Sequence, residues 1–171
     1  MEPQKCTCAT GEAPAGEGRL CHLAEREEQQ LGCCLDGFLQ AWRAADLPRA
    51  LVAFAWFREA MNRHMRWEEE SLFEEVEKRA AVPELRRVRA HHLQHEAIGT
   101  LADRIHESLE RSLSIPAPAD AALTADVAAL ESLVHAHRKL EHDEVCQHLD
   151  AVLEEPAVKE IESELEERGR I

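Results

Sequence analysis

The stretches HMRWE (residues 64–68), HHLQH (91–95) and HRKLE (137–141) each place two good metal ligands four residues apart. On a helix that spacing stacks the two side chains on one face, one turn from each other. Imidazole and carboxylate together suit iron, manganese or zinc, and carboxylates can bridge two such ions while offsetting their charge. The six residues are His64, Glu68, His91, His95, His137 and Glu141. Each falls on a stripe of otherwise apolar positions. His64 and Glu68 continue the face of Phe57, Met61, Leu72 and Val76. His91 and His95 lie with Leu85, Val88, Ile98, Ala102, Ile105 and Leu109. His137 and Glu141 lie with Val127, Leu130, Val134, Val145 and Leu149. Ionisable groups on the inward face of a helix are costly unless paired or bound to a cation. A single such histidine is ordinarily a satisfied core residue, but six on three helices point to a polar centre. The plain alternative is a salt-bridged core without metal.

Elements of the right kind to hold them follow from the punctuation of the chain. Composition is rich in Ala, Leu, Glu and Arg, with 4% aromatics and no tyrosine, which is helix-former chemistry. Residues 1–18 read as a disordered tail. A first helix is expected over about 19–44, ended by AADLP, where Asp46 can cap and Pro48 sits in the next opening turn. A second helix is expected over about 48–80, stopped at Pro83, and a third over about 84–113. The loop SIPAPAD precedes a fourth over about 121–153, and Pro156 opens a short acidic tail helix within 154–171. The expected fold is all-α: an up-down-up-down four-helix bundle over 19–153 between two tails.

Counting from the turns tests whether the three pairs share a level. The centre of His91/His95 lies about 24 residues before a turn near 117, and that of His137/Glu141 about 22 after it. At ~1.5 Å per residue the mismatch is about half a turn. Around the turn near 82 the match with His64/Glu68 is looser. The same count from a turn near 46 sends His64 to Glu28 on the first helix, on the face of Leu31, Leu35, Phe38 and Trp42. Glu25, Glu27 and His22 are the other first-helix choices. Four histidines and three carboxylates suit two metal ions. Leu31, Trp67, Leu72, Ile98 and Val134 are the expected apolar neighbours. His92, His142 and His148 are extra histidines, read as surface groups before second-layer donors.

These motifs resemble the hemerythrin-like domain, the HHE cation-binding family, whose pattern is a first-helix histidine, then HxxxE, HxxxH and HxxxE or HxxxxD on the next three helices. The stretches FREAMNRHMRWEEESLF and RAHHLQHEAI carry the likeness beyond the ligands, and it covers about residues 20–153. The resemblance implies a non-haem di-iron protein, its two ions oxo- or hydroxo-bridged, with manganese or zinc as alternatives. It implies binding of dioxygen or a related small diatomic or peroxide ligand, for oxygen handling or sensing. A redox enzyme acting on peroxide or nitric oxide is the second reading, and a metal-sensing or iron-handling module the third. The departure is Glu28, where the family carries histidine; an anionic ligand there favours the higher oxidation state. A ferritin-like carboxylate bundle would need ExxH at core positions, which the chain lacks.

Charge and cysteine usage narrow the partners. A formal charge of −14 argues against nucleic acid and against an anionic membrane surface. No apolar run approaches the ~20 residues that span a bilayer, and a soluble cytoplasmic protein is expected. The six cysteines, Cys6, Cys8, Cys21, Cys33, Cys34 and Cys146, form no paired CxxC units, and mostly free thiols are expected. Cys6 and Cys8 lie in the tail, with a metal or redox role as the lesser reading.

Overall fold

The computed structural model describes residues 19–79, 82–114, 121–146 and 154–169, and among them every regular element is helical. The elements are α1 (Arg19–Arg43), α2 (Leu47–Trp67), a π-helical segment π1 (Glu68–Phe73), α3 (Glu74–Arg79), α4 (Val82–Ser114), α5 (Ala121–Leu140), a second π segment π2 (Glu141–Cys146) and α6 (Glu155–Gly169). The tail at 1–18 and the end of the fourth expected helix, 147–153, lie outside the described residues. Among the described residues no helix is long and apolar enough to cross a membrane.

Local chemistry explains the first hairpin. α1 ends where Asp46 N–H donates to the Ala41 carbonyl (3.0 Å) and Ala45 N–H to the Trp42 carbonyl (2.9 Å). That pair of bonds closes a left-handed helix end, and Ala45 occupies the left-handed position with φ 55°. Asp46 then caps α2 by accepting from Arg49 N–H at 3.2 Å, with Pro48 in the first turn. The three-residue turn folds α2 back on α1, and the two pack along their length. At the next junction the second helical run ends at Arg79, close to the stop expected ahead of Pro83, and α4 begins at Val82. Pro83 sits in the opening turn of α4, a place where its missing N–H costs nothing.

α4 packs on α2 and on α5, and π2 reaches α1. The apolar stripes meet in one cluster that includes Leu31, Leu35 and Phe38 from α1, Phe54, Phe57 and Met61 from α2, Ile98 and Ile105 from α4, and Val127, Leu130 and Val134 from α5. Phe38 and Phe54 touch with ring centroids 4.7 Å apart. Surface ion pairs join the same neighbours: Arg43–Glu131 at 3.0 Å, Arg58–Asp103 at 3.2 Å, and Arg104 with Asp126. Each such exposed pair is worth under about 1 kcal/mol, so they tune alignment more than stability.

A second apolar cluster was not anticipated. Trp67, Leu72, Phe73, Val76 and Val88 enclose Ile161 of α6, with Val158 packed against them. The acidic tail helix therefore buries one side: Ala157 and Ile161 are both buried. The cysteine expectation also needs correction, because Cys33 is disulfide-bonded, while Cys34 remains a thiol. Adjacent helical residues point about 100° apart, so only one of the two can face a given sulfur.

Candidate metal centre

The six ligand-type residues of the three motifs are all buried and meet in one place. His64 comes from the last turn of α2, and Glu68 is the first residue of π1. His91 and His95 come from α4, His137 from the last turn of α5, and Glu141 is the first residue of π2. Both carboxylates thus stand where an α-helix widens. Such π insertions concentrate at functional sites, because they re-aim a side chain without breaking the helix.

Glu68 is the hub. Its Oε2 lies 2.9 Å from His95 Nε2, 3.5 Å from His64 Nε2 and 3.8 Å from His137 Nε2, so three helices converge on one carboxylate oxygen. Glu141 Oε2 lies 3.6 Å from His64 Nε2 and 4.0 Å from His137 Nε2. His91 packs edge-on to His137, ring centroids 5.4 Å apart. Two sets of ligand atoms fall within 4.8 Å of one another: His91, His95 and His137, and then His64, Glu68, His137 and Glu141. His137 belongs to both, so the two sets adjoin.

An outer layer fixes the rings. His95 donates its Nδ1–H to Glu69 Oε1 at 2.8 Å, since a carboxylate can only accept. His137 Nδ1 pairs with the Gln94 side-chain oxygen at 3.2 Å. With Nδ1 carrying the proton, Nε2 of each ring presents its lone pair to the cluster, which is the arrangement that orients metal-binding histidines. Neither Glu69 nor Gln94 was among the residues expected from sequence. Each adjoins a motif residue, but the contact between Glu69 and His95 spans 26 positions. Phe73 was missed as well. Its ring lies 5.4 Å from His91 and 6.0 Å from His95, and forms an apolar wall. Trp67 stands 6.3 Å from His64. Leu31, Leu72, Ile98 and Val134 are buried as expected.

The charges in the cluster are strongly perturbed. Burial works against the charged form of His64, but Glu68 and Glu141 outweigh it and raise the imidazole to about 10. Burial likewise disfavours the Glu68 carboxylate, and the surrounding imidazoles overcome that to hold it at about 2. Burial lowers His91 to about 4 and His137 to about 3. It pushes Glu141 well above the usual carboxylate range, helped by the charge on Glu68.

The donor set fits a cation. His64 Nε2, both ring nitrogens of His91, His137 Nε2, and both oxygens of Glu68 and of Glu141 are buried without a well-formed hydrogen bond. Leaving that many buried lone pairs unsatisfied is costly. An ion that accepts electron pairs from imidazole and carboxylate together would satisfy most of them at once.

On α1, Glu28 is the buried acid, while Glu25 and Glu27 are only half-buried. It stands one step outside the two tight sets, beside Glu141, and burial raises its carboxyl above the usual value. The His22 side chain lies outside the described residues, as do His148, Cys6 and Cys8. Of the extra histidines, His92 Nδ1 lies 3.5 Å from Glu69 and so touches the outer layer. His142 pairs with Asp143 on the surface. The chain matches no protein-family model, no curated protein and no solved structure.

Proposed function

We propose that the chain is a hemerythrin-like, non-haem dinuclear iron protein built on an up-down-up-down four-helix bundle, which binds dioxygen or a related small ligand. The observation that carries the reading is the convergence of His64, His95 and His137 on one oxygen of Glu68. Glu69 behind His95 and Gln94 behind His137 add to it, since they leave both Nε2 atoms as donors. In this reading His91, His95 and His137 hold one ion, and His64 and Glu28 stand at the other. Glu68 and Glu141 lie between them. Iron bound there supplies the electrons that a small oxidising ligand requires.

The chain's own residues have definite tasks in that scheme. Glu68, already ionised at about 2, offers its charge at neutral pH. His91 and His137 are neutral there and need lose no proton to become ligands. Phe73 and Trp67 keep water from the imidazoles, which strengthens every charge interaction inside. A redox enzyme acting on peroxide or nitric oxide is the second reading. It is favoured by the placement of a buried carboxylate, Glu28, on α1 beside Glu141.

The test is to load the protein with ferrous iron without air and then admit oxygen while recording visible absorption. A charge-transfer band that forms and fades again when oxygen is removed supports ligand binding. A band that forms once and persists supports the redox reading. Failure to retain iron would contradict both.

A further inference from the structure

Glu28 has a cation on its solvent side. Arg138 follows His137 directly in α5, and its Nε lies 3.8 Å from Glu28 Oε2. The Arg138 side chain is 36% exposed and that of Glu28 only 11%. The guanidinium therefore plugs the seam between α1 and α5, with the carboxylate inside it. A glycine makes the approach possible. Gly32 is one turn beyond Glu28 on the same face of α1, and a Cβ there would come within 3.1 Å of Arg138 Nη1 and 3.7 Å of its Cζ. Any other residue at 32 would press on the guanidinium. The pair is at ion-pair distance but longer than a hydrogen bond, and both Arg138 Nε and Glu28 Oε1 are buried without a hydrogen-bond partner. Movement of under about 1 Å would complete the contact on one oxygen and leave the other free.

Resting on the proposed metal centre, we infer that Arg138 is a positioning residue for Glu28: seated on Gly32, it holds Oε2 and leaves Oε1 to a metal ion. The arginine thereby sets where the α1 carboxylate sits and how much of its charge a bound ion feels. An ordinary surface salt bridge would do neither, and its removal would change little.

Cobalt(II) serves as the probe, because its visible d–d bands report ligand number and geometry. Full-length metal-free protein is titrated with Co(II) without air, for the parent and for Arg138→Gln, Arg138→Lys, Glu28→Gln, Gly32→Ala and the double variant Glu28→Gln/Arg138→Gln. Circular dichroism confirms that each is folded. The parent should take two ions. Arg138→Gln and Glu28→Gln should each weaken one of the two steps by about tenfold or more, the usual effect of losing an orienting partner, and alter its d–d bands. The double variant should be no weaker than Glu28→Gln alone. Arg138→Lys should recover part of the affinity, and Gly32→Ala should weaken the same step without any change in charge. Unchanged titration of Arg138→Gln, or losses that add in the double variant, would overturn the assignment while leaving the metal centre standing. A parent that binds no cobalt would overturn the metal centre and this inference with it.

Discussion

Glu68 Oε2 is approached by three imidazoles, and two of them, His95 and His137, are held by partners outside the cluster. Glu69 is 41% exposed, yet it holds the Nδ1 of a buried ring. Glu69→Ala should therefore leave folding almost untouched while loosening His95. We expect metal affinity to fall about 10- to 100-fold with an unchanged circular dichroism spectrum; equal affinity for parent and variant would remove Glu69 from the site. The six clustered His and Glu residues were legible in the sequence because a spacing of four stacks each pair on one helix face. Glu69, Gln94 and Arg138 were not, since each acts across a helix–helix contact that no local spacing records. Glu28 was reached only by counting from a turn, and its standing just outside the tight sets is what the count could not supply.

At the scale of elements, the first turn and its Asp46 cap agreed with their residues, and the π segments did not announce themselves. No Gly or Pro marks Glu68–Phe73 or Glu141–Cys146. A π turn bonds residue i to i+5, so five residues make only slightly more than one turn, against about 1.4 turns of an α-helix. That brings Phe73 towards the face of Glu68, which the uninterrupted 3.6-residue stripe does not do. The same widening exposes Trp67, Leu72 and Phe73 to a further partner, and α6 supplies it. Ile161→Ala should destabilise the protein by about 2–5 kcal/mol in urea unfolding, as for other buried aliphatic truncations; a loss below about 0.5 kcal/mol would mean that α6 is not docked in solution. In the first hairpin, Ala45 takes a left-handed conformation that glycine adopts without strain. Ala45→Gly should therefore raise stability by about 0.5–1 kcal/mol, and a decrease in the urea midpoint would contradict the geometry.

The whole molecule carries a formal charge of −14 and a buried cluster whose protons are distributed unevenly, which makes stability depend on pH in a defined way. Without metal, His64 is raised to about 10 and Glu141 well above 4.5, so the folded chain binds more protons than the unfolded one as pH rises past 6.5. Their contribution is lost towards alkaline pH. His91 and His137, lowered to about 4 and about 3, work the other way below pH 6.5, and Glu68, held at about 2, joins them below pH 4.5, where the unfolded chain takes up protons that the folded one refuses. The metal-free protein should be most stable near about pH 6.5, where the imidazole and carboxyl effects meet, and weaken on both sides. Urea unfolding at about pH 3.5, 6.5 and 8.5 checks this, and stability that climbs from 6.5 to 8.5 would contradict it. The all-helical character of the described residues was legible from composition and breakers, and the burial of the six motif residues from their stripes. The tail helix itself was legible but its docking was not, because its many acids conceal a short apolar side at Ala157, Val158 and Ile161.

The most direct test of the central claim is elemental analysis of the purified full-length protein beside a His91→Ala/His95→Ala variant. Two metal ions per chain are expected, iron before manganese or zinc, with loss of at least one of them in the variant while the helical spectrum persists. No bound metal, or a single zinc retained equally by both proteins, would contradict the claim.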